Sequence, residues 1–187
     1  MSESETSRFE QTLAFHAAPT LLGIKCGSLL ALSVEEYDIE GSSALFGSNA
    51  YGSQLSVRTV NRCRSRSLLY VYHVGLLARQ LSAEGVREFL AEYGYDPAWS
   101  AERCLDRLCK RLAEQDFPHE IGIFLGYPLE DVKGFIANCG QRCKYCGVWK
   151  VYGDVEQAKL MFERYRECRV RLCEQLKHGK KLCTCVA

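Results

Sequence analysis

The chain has 187 residues, 47% hydrophobic and 25% charged, the mix of an ordinary globular domain. It is too apolar for a disordered tail and too short for a complete eight-stranded α/β barrel of roughly 250 residues. Its 24 Lys+Arg against 23 Asp+Glu leave a formal charge of +1, which gives no reason to expect nucleic acid or an anionic membrane as a partner.

In chain order, a polar tail at 1–7 precedes a short helix over Phe9 to Ala17, closed by Pro19. Ile24 to Leu32 is apolar and reads as a strand, although its Leu-rich end suits a helix equally. Gly41 to Ser56 is rich in Gly and Ser and reads as a loop or ragged hairpin. Leu68 to His73 is a buried strand by its aromatic and apolar content. Ser82 caps a helix running to about Tyr93, and Asp96-Pro97 opens the next. That helix carries a stripe of Cys104, Leu105, Leu108, Cys109 and Leu112. Ile121 to Leu125 reads as a strand, Leu129 to Ala137 as a helix and Val148 to Tyr152 as another strand. Asp154 with Gln157 resembles a capping box for the longest helix, about Val155 to His178, ended by Gly179.

This order predicts one domain over 1–187 of α/β or α+β class. One small mixed sheet, holding Leu68–His73, Ile121–Leu125 and Val148–Tyr152, is covered by helices. The long C-terminal helix packs across it, and a cysteine-containing tail follows at 180–187. No window approaches the roughly 18 uninterrupted apolar residues of a membrane span.

Eleven cysteines are the compositional anomaly. The start, Met1 to Arg8, is polar and acidic without a signal-peptide pattern, and an odd count leaves at least one thiol unpaired in a monomer. The expectation is a reducing cytoplasm, with the cysteines serving as core residues, metal or cluster ligands, or redox thiols. Cys104, Cys109 and Cys168 lie on helix stripes and read as core.

Four segments carry candidate chemistry. The first is Phe117 to Pro128. His119 and Glu120 are adjacent at the start of the expected strand, so one can face a pocket while the other is held by the fold. His119 then acts as acid or base, and Glu120 orients it or contacts the ligand. Gly126, Tyr127 and Pro128 turn the chain into a helix N-terminus, where free N–H groups can hold an anion. The plainer reading gives His119 and Glu120 local hydrogen bonds and leaves Gly126 and Pro128 to shape a turn. A zinc-protease motif is excluded, because Ile123 stands where the second His would be.

The second segment is Cys139, Cys143 and Cys146, a C-x3-C-x2-C run. Its spacing resembles the cluster loop of radical S-adenosylmethionine enzymes, in which three thiolates hold a [4Fe–4S] cluster. In those enzymes the loop lies early in a barrel, whereas here only 41 residues follow Cys146. Zinc is the other metal considered, with Cys183 and Cys185 completing four thiolates around Cys143 and Cys146. Free thiols in a loop are the plainer alternative.

The third segment is Arg58, Arg62, Arg64 and Arg66, a phosphate patch or a solvated edge. The fourth is Ala14 to Lys25. There His16 reads as a core histidine and Lys25 as a side chain reaching outward, and either is a further ligand contact.

The fourth and first segments together carry a resemblance. Phe15-His16, Ala18-Pro19-Thr20, Gly23-Ile24-Lys25, Pro118-His119-Glu120, Leu125-Gly-Tyr-Pro128 and Trp149-Lys-Val-Tyr152 resemble a family of single-domain bacterial proteins of unknown function. It is marked by the Pro-His-Glu and Leu-Gly-Tyr-Pro motifs. The resemblance spans nearly the whole chain and implies a shared site at His119, Glu120, Gly126, Tyr127 and Pro128, joined by His16, Lys25 or Lys150. It implies no activity and no cofactor, and the cysteine run is outside its pattern. Three classes follow: a small enzyme using His119 and Glu120, a metal or thiol-redox module, and a non-catalytic binding or adaptor domain. The partner is a small molecule or a protein.

Overall fold

The computed structural model describes residues 2–48, 51–62, 65–114 and 117–186. The chain begins with α1 (Glu3–His16), α2 (Ala18–Leu21), β1 (Gly27–Ser33), α3 (Ile39–Gly47), β2 (Leu55–Arg62) and β3 (Arg66–His73). It continues through α4 (Val74–Leu81), α5 (Val86–Ala91), α6 (Ala101–Leu112), α7 (Ile121–Phe124) and α8 (Leu129–Ala137). It ends with β4 (Tyr145–Cys146), β5 (Lys150–Val151), α9 (Val155–Lys177) and α10 (Cys183–Val186). The class is mixed α/β, with a small sheet and a long C-terminal helix, as the alternation predicts. Two compact units divide the chain: Met1–Gly75 with Tyr165–Ala187, and Leu76–Arg164. Among the described residues no helix is long and apolar enough to cross a membrane.

In the first unit, α1 starts six residues earlier than its apolar stripe suggests. The Ser2 hydroxyl accepts the Glu5 amide at 3.2 Å, and the Glu5 carboxylate accepts the Ser2 amide. This capping box, with Glu3 and Glu5 in the first turn, converts most of the expected polar tail into helix. The sheet is antiparallel in the order β1-β3-β2, pairing Leu30 with Leu69 and Val57 with Val71. Leu69, Tyr70 and Val71 of the central strand are wholly buried. Phe9 and Leu13 of α1, Leu30 and Leu32 of β1, and Leu172 and Leu182 complete the core. Each such side chain contributes roughly 1.5–3 kcal/mol by leaving water. The tail over residues 180–186 is thus anchored through Leu182 and α10.

The Gly/Ser stretch departs from its expected loop. Asp38 caps α3 by accepting the Gly41 amide at 2.9 Å, and Ser42 and Ser43 donate to the carbonyls four residues back. Ile39 and Phe46 then bury one face. Helix is favoured here because cap and burial outweigh weak propensity.

In the second unit, α6 carries the predicted stripe, with Cys104, Leu105, Leu108 and Leu112 buried; Cys109, expected in the core, is only partly buried. Its cap is Ser100, while Asp96 accepts the Ala98 amide in the turn before it. The hydroxyl of Ser82 donates to the Arg79 carbonyl, and the left-handed Gly85 opens α5 instead. The helix expected over Leu129 to Ala137 is α8.

The expected common sheet is not formed. Leu68–His73 belongs to β3, Ile121–Phe124 is the helical turn α7, and Lys150–Val151 pairs with Tyr145–Cys146 in a separate two-stranded sheet. All four residues of α7 are buried, so a short apolar run carried no periodicity to distinguish helix from strand. The Asp154 carboxylate accepts the Gln157 amide at 3.0 Å and caps α9, and the left-handed Gly179 follows its end.

Candidate functional site

Pro118-His119-Glu120 opens α7, with the His119 and Glu120 carbonyls accepting the Gly122 and Ile123 amides. The two side chains part company. His119 is exposed, its ring edge-on to Phe135 with centroids 5.0 Å apart. Phe117, 54% exposed, is its other aromatic neighbour at 6.3 Å. Glu120 is only 1% exposed. Arg111, from the last turn of α6, donates to both of its carboxylate oxygens, and the Tyr95 hydroxyl donates to Oε1 at 3.3 Å. Burial first, then the Glu120 carboxylate, holds the Tyr95 phenol above its ordinary pKa.

Leu125-Gly-Tyr-Pro128 joins α7 to α8. Gly126 adopts φ +73°, a left-handed conformation that lets the Tyr127 amide reach back to the Gly122 carbonyl at 2.9 Å. The Tyr127 ring stacks on Trp149 at 4.9 Å, and Trp149 meets Phe162 edge-to-face at 4.5 Å. Pro128 is exposed, and its carbonyl accepts the Asp131 and Val132 amides that begin α8. These contacts join the Leu-Gly-Tyr-Pro segment to the Trp149–Tyr152 segment through stacked rings.

Asp131, which sequence reasoning missed, ties that corner together. Its carboxylate is 3% exposed and accepts the Trp149 indole N–H at 2.6 Å and the Tyr152 and Gly153 amides at 2.7 and 2.8 Å. An Asp in the first turn of a helix reads as a dipole partner. Its three donors lie 18 to 22 residues downstream.

The cysteine run follows α8. Cys139 takes φ +48° where the helix ends, before Gly140 at φ +70°, whose amide reaches the Phe135 carbonyl at 2.8 Å. Lys150 donates to the Gly140 carbonyl at 2.5 Å and stands 5.9 Å from the Phe135 ring centroid. The Tyr152 hydroxyl donates to the Gln141 carbonyl at 2.9 Å. Cys139 and Cys146 are exposed, Cys143 partly so, and all three are free thiols. Among the described residues no group of three or more His, Cys, Asp or Glu is placed to hold a metal ion, so the cysteine run gains no geometric support as a cluster or zinc site. Cys183 and Cys185, also free and partly exposed, lie on α10 in the first unit.

A cysteine at φ +48° is disfavoured by about 1 kcal/mol relative to glycine. Cys139→Gly is therefore expected to raise stability by about 0.5–1 kcal/mol, read as a higher urea midpoint at unchanged m-value. A lower midpoint would mean that the thiol itself supports the loop.

His16 and Lys25 belong to the first unit, and their environments invert expectation. His16 is exposed at the end of α1, where partial desolvation and then Arg169 hold its imidazole below the ordinary pKa. Lys25 is 9% exposed, with its ammonium 5.8 Å from the Tyr165 ring centroid. Burial, slightly opposed by Cys26, pushes its pKa down from 10.5 to about 8. Below pH 8 the folded chain buries a charge that the unfolded chain hydrates. Between 8 and 10.5 the folded form gives up this proton first, so stability rises with pH across that window. Lys25→Met is expected to gain about 1–3 kcal/mol at pH 7 and to lose most of that gain by about pH 10. Urea midpoints of both proteins at the two pH values check it.

His119, Gly140 and Lys150 thus gather around Phe135, while Tyr127 and Trp149 are stacked on each other. In the arginine segment, Arg66 is exposed on β3. Arg64 lies outside the described residues, and Arg58 and Arg62 fall on β2.

Among known proteins, residues 13–186 match the family model of a protein of unknown function, DUF3793. No curated protein and no solved structure matches.

Proposed function

Since the chain belongs to DUF3793, a family of unknown function, we propose from its own residues that it is a small-molecule-binding domain whose site is the face around Phe135. His119 and Lys150, whose ring and ammonium stand 5.0 and 5.9 Å from the Phe135 ring centroid, contact the ligand. Glu120, Gly126, Tyr127 and Pro128 anchor and shape the segment that leads into α8, the helix carrying Phe135. The observation that carries this reading is the Phe135 ring itself. It meets the exposed His119 imidazole, the Lys150 ammonium and Gly140, so that the Pro-His-Glu segment and the cysteine loop share one face. Glu120 is committed to Arg111 and Tyr95, which favours binding over an acid–base pair with His119. In the enzymatic version His119 alone transfers the proton. Thermal-shift screening against a panel of phosphorylated, carboxylated and thiol metabolites tests the proposal. At least one compound is expected to raise the melting temperature of the native chain and to lose that effect in His119→Ala and Lys150→Met. Shifts that survive both substitutions, or no shift from any compound, overturn it.

A thiol-redox or metal role is the second reading, favoured by the exposed Cys139 in a backbone conformation that glycine would hold more easily. The odd count of eleven cysteines, which leaves at least one thiol unpaired in a monomer, favours a cytoplasmic location. In brief native alkylation, Cys139 and Cys146 are expected to react first, and Cys26 and Cys104 last. Burial pushes the Cys26 thiol up to about 12 and raises that of Cys104. Uniform labelling contradicts this order. Stoichiometric zinc or iron in anaerobically purified protein selects the metal variant, and its absence removes it.

A further inference from the structure

The second unit holds a cavity of about 590 Å³ between the end of α4, α5 and the start of α6. That volume lies within the range of small-molecule sites, roughly 300–1,000 Å³. Its floor is apolar: Leu81, Leu90 and Cys104 are each less than a tenth exposed. Trp99 forms one wall. The Arg103 guanidinium stands 5.2 Å from the Trp99 ring centroid and belongs to a neighbouring cavity of about 330 Å³ that Trp99 also borders. At the rim are two exposed guanidinium groups, Arg79 and Arg87, neither with an ion-pair partner among the described residues. The lining carboxylate is Asp96, whose Oδ1 is turned onto the Ala98 amide at 2.8 Å.

An apolar floor with two exposed guanidinium groups at its mouth has complementary halves. The floor gains by excluding water from a hydrophobic body, and the guanidinium forks match the oxygens of a phosphate or carboxylate. An inorganic anion alone would leave the floor wet, and a neutral hydrophobe would leave both cations unused. We propose that this cleft binds an anionic small molecule with an aromatic body, its anion on Arg79 and Arg87 and its ring against Leu81, Leu90 and Trp99. The site is separate from the face around Phe135 and does not depend on it.

Phenyl phosphate is the probe, titrated calorimetrically into the full chain, with benzoate, inorganic phosphate and phenol as the comparison arms. Phenyl phosphate is expected to bind saturably, at least tenfold more tightly than inorganic phosphate or phenol. Benzoate binding as tightly as phenyl phosphate assigns a carboxylate ligand, and weaker benzoate binding assigns a phosphate. Arg79→Gln and Arg87→Gln each weaken binding about tenfold or more. Ser82→Glu, which sets a carboxylate at the exposed mouth, weakens it similarly without touching the floor. Glu156→Gln, at an exposed position on α9 outside the cleft lining, leaves it unchanged. No saturable binding up to 10 mM ligand overturns the proposal. So does equal affinity for inorganic phosphate, or unchanged affinity in the Arg79→Gln, Arg87→Gln double variant.

Discussion

Replacing Arg111 by Met is expected to destabilise the chain by about 3–5 kcal/mol, because it strips the partner from a carboxylate buried in the second unit. Glu120 is 1% exposed and accepts charge-assisted bonds from Arg111 on both oxygens, with Tyr95 as a further donor. The reverse change is milder. Glu120→Gln leaves an Arg111 side chain that is 22% exposed and can rehydrate, so about 1–3 kcal/mol is expected. The double variant Arg111→Met, Glu120→Met should recover much of the loss of Arg111→Met alone, since two apolar groups need no partner. The coupling is read from a double-mutant cycle in urea. His119→Ala, at an exposed position one residue away, should change stability by no more than about 0.5 kcal/mol. If Arg111→Met costs no more than His119→Ala, Glu120 is not a structural anchor, and its assignment as a partner of His119 regains weight.

Asp131→Ala is expected to cost about 3–4 kcal/mol, from three donors left without their acceptor. The Trp149 indole suffers most, because Trp149 is only 7% exposed and water cannot easily replace the carboxylate. Asp131→Asn keeps one acceptor oxygen but turns an amide N–H₂ toward donors, and about 2 kcal/mol is expected. Because Asp131 holds the Trp149–Gly153 segment against α8, the Trp149 emission should shift to the red in Asp131→Ala under native conditions. Trp99→Phe in the same background assigns that signal to Trp149. A change below about 0.5 kcal/mol with unshifted emission would mean that the stacking of Tyr127, Trp149 and Phe162 holds the segment unaided.

Legibility in the sequence followed the range of the interaction. Elements declared by local chemistry were readable. The stripe Cys104, Leu105, Leu108, Cys109 and Leu112 specifies α6, Asp154 caps α9, and Pro128 sets the start of α8. In each case the deciding contact lies within about four residues. Elements decided by their surroundings were not. Ile121–Phe124 is apolar on every side because it is buried on every side, which erases the periodicity that tells a turn of helix from a strand. Ile39–Gly47 is helical because Asp38 and the burial of Ile39 and Phe46 override its glycine and serines. The site divides along the same line. The residue types around His119 and the cysteine run advertise chemistry by themselves. Only the tertiary structure turns Glu120 inward onto Arg111, sets Asp131 against donors 18 to 22 residues away, and brings His119 and Lys150 to one Phe135 ring. It also buries Lys25 and exposes His16. Burial is a property of what packs against a residue, and a polar side chain carries no local mark of whether its partner will be water or protein.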